Sequence, residues 1–128
     1  MSAGTSFGLD RIGQIAVTVR DLARATAFYR DTLGMRFLYE FPGLAFFDCG
    51  GIRLIMSVPE RQEFDHPTSV LYYAVEDLPA AHATLRARGV AFERDPHLIA
   101  TLSDREVWMA FFRDSEGNLL GLMSEKRL

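Results

Sequence analysis

Apolar and polar positions alternate with a period of two from Ile12 to Val19. Ile15, Val17 and Val19 share one strand face, and the smaller, more polar Gln14, Ala16 and Thr18 share the other. The period then lengthens: Leu22, Ala25, Tyr29 and Leu33 recur at helical spacing, flanked by Phe28. Asp21 is placed to cap this helix and Gly34 to end it. Three strands follow, over Met35–Glu40, Leu44–Asp48 and Ile52–Ser57. Pro42-Gly43 and Gly50-Gly51 separate them, which predicts an antiparallel meander. The first half is therefore β-α-β-β-β, and the turn-rich Pro59–Pro67 stretch leads away from it.

The same pattern then returns. Val19-Arg-Asp-Leu22 recurs as Val75-Glu-Asp-Leu78, 56 positions later, and Gly34 and Phe37 match Gly89 and Phe92 at an offset of 55. The second copy predicts a strand over Ser69–Val75, a helix capped by Asp77 with Leu78, Ala81 and Leu85 inward, and a strand over Val90–Arg94. An irregular excursion from Asp95 to Asp104 comes next, then a strand over Glu106–Arg113, the Asp114–Asn118 turn and a closing strand over Leu119–Ser124. An internal repeat fixes architecture before any single residue is interpreted. The expectation is an α+β fold: two tandem βαβββ modules forming a curved, partly open mixed sheet, with helices on the convex face. In residue terms, 1–11 form a flexible arm and 12–125 a single domain, with module one at 12–57, a connection at 58–67 and module two at 68–125.

Composition narrows the function classes. The chain has 128 residues, 48% of them hydrophobic and 24% charged, enough for one real core. A net charge of −3 offers no basic footprint for nucleic acid. No apolar run reaches membrane-spanning length. The start of the chain lacks the regions of a signal peptide, and Cys49 is the single cysteine, so a reducing, cytoplasmic setting is expected.

Val19-Arg-Asp-Leu-Ala-Arg-Ala-Thr-Ala-Phe-Tyr-Arg-Asp-Thr-Leu-Gly34 and Phe112-Arg-Asp-Ser-Glu-Gly-Asn-Leu-Leu120, in this order and with the repeat, resemble the vicinal oxygen chelate superfamily. That group includes glyoxalase I, extradiol dioxygenases, fosfomycin-resistance enzymes and bleomycin-resistance proteins. The resemblance covers nearly the whole chain and implies the fold described above; one fold hosts many chemistries, so it does not fix the reaction. In metal-dependent members the ligand positions correspond to Gln14, Val70 and Gly121, with a fourth near Leu54. Only Gln14 carries a donor atom, and a divalent ion needs several converging oxygen or nitrogen ligands. The resemblance therefore implies no cofactor, and no metal ligand beyond Gln14. It also implies a homodimer, either side by side or with exchanged modules.

Residue by residue, the expected ligand-binding set is Gln14, Tyr72, Trp108 and Met123. Tyr72 falls on the Gln14 face by the repeat and either contacts a ligand or fills a vacated metal site. His97 and Glu106 are weak acid–base candidates, with exposed-loop and ion-pair roles as the plainer readings. Tyr73 is assigned to the core, His82 and His66 to the surface, and Cys49 to a partly buried position. About half of Phe41, Phe46, Phe47, Tyr72, Trp108, Phe111 and Phe112 should face the cleft. These features favour a metal-free protein that sequesters a hydrophobic or planar small molecule, as bleomycin-resistance proteins do. The competing readings are a glyoxalase-like lyase or isomerase, or a dioxygenase, with a relocated or partial metal site, and an interaction module without a ligand.

Overall fold

A computed structural model describes residues 7–128. The expected arm at 1–11 lies partly outside the described residues, and residues 7–11 are exposed and carry no regular structure. Eight strands and two α-helices follow in two equivalent series. Module one comprises β1 (Gln14–Thr18), α1 (Leu22–Ala27), β2 (Arg36–Phe41), β3 (Leu44–Cys49) and β4 (Ile52–Ser57). Module two comprises β5 (Leu71–Ala74), α2 (Leu78–Ala87), β6 (His97–Thr101), β7 (Arg105–Arg113) and β8 (Leu119–Arg127). Each module is a four-stranded sheet, ordered β1-β4-β3-β2 and β5-β8-β7-β6. In both sheets the first strand pairs parallel to the last, and the remaining pairs are antiparallel. The fold is the α+β, twin βαβββ architecture that the repeat predicts.

The helices start as the sequence leads one to expect. Asp21 accepts from the Arg24 amide, and Asp77 accepts from the Ala80 amide, both at 3.0 Å. The first helix ends differently. From Phe28 to Thr32 it widens into a π-helical turn, and the Leu33 amide reaches back to the Phe28 carbonyl. Gly34, at φ 72°, then closes it in the left-handed region that glycine tolerates best.

Alternation along the strands sends Val17, Leu54, Met56, Phe47, Leu120, Leu122, Ala110 and Phe112 to the helix side, where they form one core with Ala25, Tyr29, Leu78 and Leu85. The modules are joined by polar contacts at the β7–β8 turn. Asp114 is buried, its Oδ1 accepts from the Glu116 and Asn118 amides, and its Oδ2 accepts from Tyr29 Oη of module one at 2.6 Å. Glu116 accepts from the Arg20 and Asp21 amides at 2.8 and 3.0 Å, satisfying donors at the mouth of α1. The Thr18 amide, at the end of β1, donates to Thr68 Oγ1 at 3.2 Å, three residues ahead of β5.

Module two departs from the sequence expectation between its helix and β7. The strand expected at Val90–Arg94 is a single bridge, Phe92 to Phe112, and the regular strand lies at His97–Thr101, inside the stretch expected to be irregular. Both pieces run along the same edge of β7. Pro96 has no amide to donate, and Arg94-Asp95-Pro96 loops out between them. The repeat itself holds: Phe92 opposes Phe112 as Phe37 opposes Phe47.

Candidate functional site

Each sheet has a second face, turned away from the helices, and its composition follows from strand register. In module one this face carries Gln14, Ala16 and Thr18 on β1, with Arg53, Ile55 and Ser57 beside them on β4. Phe46, Tyr39 and Phe41 complete it, with ring centroids 4.9 to 6.0 Å apart. Tyr39 and Phe41 are exposed. In module two the same face carries Tyr72 and Ala74 on β5, Gly121 and Met123 on β8, Phe111 and Met109 on β7, and His97 on β6. Tyr72 meets Phe111 edge-on at 5.8 Å, and the His97 ring lies 6.3 Å from Phe111. Tyr72, Phe111 and His97 thus form an aromatic row, bordered by Met123 and Met109.

The centre of this row is the Tyr72–Gly121 pair. A Cβ built on Gly121 would lie 2.7 Å from Tyr72 Cδ2, 3.1 Å from Cε2 and 3.3 Å from Phe111 Cε1. The Tyr72 ring occupies the space into which any side chain at 121 would project. This is the position where metal-dependent relatives would place a carboxylate. Val70, at the equivalent of Gln14, is an exposed aliphatic residue just before β5. Leu54 is buried on the helix side. Gln14 alone, exposed next to Arg53, offers a donor. Nor does any group of three His, Cys, Asp or Glu side chains converge among the described residues. The residues at the family's ligand positions do not fit a divalent metal.

Two expected site residues are placed elsewhere. Trp108 pairs with Ser124 and Leu98, two steps from Ala110 and four from Phe112, so it belongs to the helix-side face. It is partly buried against the core and is not in contact with the Tyr72 row. Its Nε1 donates to Glu106 Oε1 at 3.1 Å, which puts Glu106 on that side as well. His97 faces the other way, with Nδ1 accepting from Arg94 Nε at 3.1 Å. His97 and Glu106 therefore lie on opposite faces of one sheet and form no acid–base pair. Gln14, Tyr72, Met123 and His97 do lie on the faces turned away from the helices, although no hydrogen bond joins Gln14 to Tyr72.

His82, expected at the surface, is buried on α2 beneath Phe92, with ring centroids 4.4 Å apart. Its spacing from Leu78 and Leu85, four and three residues, was the available signal. With Trp108, Lys126, Asp95 and Pro79 it lines a groove of about 830 Å³ on the helix side. Sequence reasoning missed this groove because it comes from the looped-out Arg94-Asp95-Pro96 segment. Four of the seven aromatics considered, Phe41, Phe46, Tyr72 and Phe111, face away from the helices, whereas Phe47, Phe112 and Trp108 face them. Tyr73 and Cys49 are half-buried on the helix side, as expected for both.

Residues 11–122 match the family model described as the Glyoxalase/Bleomycin resistance protein/Dioxygenase superfamily. The "Uncharacterized protein YraH" of Bacillus subtilis (strain 168) is 27% identical over 124 residues, covering 84% of this chain and 92% of its own. An integron cassette protein from the mobile metagenome of V. cholerae superposes with a TM-score of 0.77 at 20% identity, over 94% of this chain and 98% of its own. Lactoylglutathione lyase from Agrobacterium tumefaciens superposes with a TM-score of 0.71 at 22% identity, over 91% and 95%. Among the described residues, no helix is long and apolar enough to cross a membrane.

Proposed function

We propose that this chain, which belongs to the Glyoxalase/Bleomycin resistance protein/Dioxygenase superfamily, binds a hydrophobic or planar small molecule without a metal ion. The observation that carries this reading is the Tyr72 ring lying across Gly121. It supports a site in which an aromatic surface has replaced a liganding carboxylate. Tyr72 is half exposed and backed by Phe111, so one ring face is available for stacking. Met123 and Met109 border it with polarizable, adaptable side chains that suit an aromatic guest. The single cysteine fits a reducing, cytoplasmic setting. The exposed Tyr39 and Phe41 on module one supply an apolar surface of the kind that association covers, which supports a homodimer.

Native mass spectrometry of the purified protein, paired with elemental analysis, tests the proposal. The expected result is a retained organic ligand and no stoichiometric transition metal after dialysis. Tyr72→Ala should then weaken that ligand by about fivefold or more, the scale of one aromatic contact. A transition metal that stays bound one per chain would sink the reading. An unchanged affinity in Tyr72→Ala would place the ligand elsewhere.

A further inference from the structure

One side chain on the open face of module two offers a hydrogen-bond donor that nothing in the chain receives. His97 stands on β6 opposite Met109, half-buried, at the end of the row that Tyr72 and Phe111 begin. Arg94 Nε lies 3.1 Å from its Nδ1. The Asp95 carbonyl, 3.2 Å from the same nitrogen, would favour a proton there. A guanidinium only donates, however, and the Arg94 Nε–H already points at Nδ1. Nδ1 is therefore the acceptor, and in the neutral ring the proton sits on Nε2. Nε2 makes no hydrogen bond among the described residues, yet it reaches the surface. Nδ1 is the nitrogen held by the loop, and Nε2 is the one left for a ligand.

The charge around this donor is one-sided. Arg94 meets no carboxylate among the described residues. Of the acids beside it in the chain, Glu93 pairs with Arg113 at 3.5 Å, and Asp95 lies 3.9 Å from His82 on α2. The apolar half of the site is one ring wide. Phe111 lies between Tyr72 and His97, with ring centroids 5.8 and 6.3 Å away and interplanar angles of 80° and 40°. A single benzene ring over Phe111 therefore reaches both neighbours.

We propose, resting on the metal-free aromatic site described above, that the ligand of the Tyr72 row is an aromatic acid. Its ring lies over Phe111 between Tyr72 and His97, and its carboxylate accepts from His97 Nε2 in the field of the Arg94 guanidinium. A hydrogen bond to an ionised acceptor is roughly twice as strong as one between neutral groups, so this donor prefers a carboxylate to an amide or ketone oxygen. Arg94 has two parts in this: it supplies the positive charge, and it positions the donor by fixing the tautomer of His97.

Phenylacetate and phenylacetamide match in shape and differ in charge, and calorimetric titration of the full chain compares them. Phenylacetate should bind about tenfold more tightly, the scale of one hydrogen bond to a charged group. His97→Phe keeps a ring and removes the donor, and should erase that preference. His97→Gln, whose amide nitrogen can stand where Nε2 does, should keep part of it. Arg94→Gln should weaken phenylacetate and leave phenylacetamide unchanged. Nitrogen NMR of the imidazole should place the proton on Nε2 in the free protein and shift that signal when phenylacetate is added. Tyr72→Ala should weaken both probes alike, because it removes the aromatic contact and not the donor. Equal affinity for the two probes, no binding of phenylacetate at millimolar concentration, or a preference that survives in His97→Phe would overturn the aromatic-acid assignment. None of those results touches the metal-free site itself, whereas a transition metal bound one per chain would overturn both.

Discussion

Replacing Gly121 by Ala probes the Tyr72 contact with a single methyl group. The new Cβ would sit 2.7 Å from Tyr72 Cδ2, against about 3.5–4.0 Å for a relaxed carbon–carbon contact, so something must retreat by about 1 Å. The β8 backbone cannot, because β5 and β7 hold it from both sides. The Tyr72 ring can, since it is half exposed. Turning outward forfeits its edge-on contact with Phe111, worth about 0.5–1.5 kcal/mol, and strain adds about 1 kcal/mol. Alanine recovers roughly 0.5–1 kcal/mol of backbone entropy relative to glycine in a strand, and Gly121 has no positive φ to penalise a side chain. A net loss of about 1 kcal/mol is expected. In a Tyr72→Ala background the main clash is gone, and the same substitution should be neutral or stabilising, giving a coupling of about 1–2 kcal/mol. Urea unfolding followed by the single tryptophan measures all four proteins, because Trp108 lies on the opposite face. Equal cost of Gly121→Ala in both backgrounds would refute the placement of Tyr72 over Gly121.

Tyr29→Phe removes a buried 2.6 Å bond to Asp114 across the module boundary and should cost about 1.5–3 kcal/mol in denaturant unfolding, the range for a bond to a charged group. Burial lifts the Tyr29 and Tyr73 pKa values above the ordinary 10, with Asp114 adding to both. Their contribution is fully present below pH 10 and is lost as pH rises beyond it, by up to about 1.4 kcal/mol per pH unit for each phenol; Tyr29→Phe should flatten that alkaline loss. Gly121→Glu with Val70→His supplies two donors beside Gln14, yet zinc uptake by equilibrium dialysis should appear only when Tyr72→Ala is added to clear the space.

The duplication made most of the fold legible. Asp21 and Asp77 as caps, Gly34 and Gly89 as stops, and the glycine turns set nearly every element, and strand parity then separated Tyr72 from Tyr73. What the sequence hid was phase and detour. Glu106 and Trp108 were correctly put on one face of β7, but which face depends on Phe112 being core, and that follows only from the Asp114 turn packing onto Tyr29. The π-helical turn at Phe28–Thr32 has no marker in local propensity. Tyr29, within this turn, is directed at Asp114. Asp95–Asp104 reads as an irregular excursion in the sequence, yet pairing with β7 resumes at His97, just past Pro96, which has no amide to donate.

The lack of donor side chains at Val70 and Gly121 and the presence of the aromatic row are structurally linked. Val70 lacks a donor, yet a single missing ligand would leave a cavity lined by polar remnants. Here a side chain is absent at Gly121, and the Tyr72 ring fills that space and disfavours any larger residue there. In module one the equivalent pair is Ala16 beside Ile55, the reverse disposition of small and large, so the two halves retain the same backbone register while packing their open faces differently. Gly121 and Tyr72 are thus coupled. Metal binding at these positions would require changing both together with Val70, whereas either change alone leaves a clash or a hole. That coupling supports the proposed aromatic, donor-poor site.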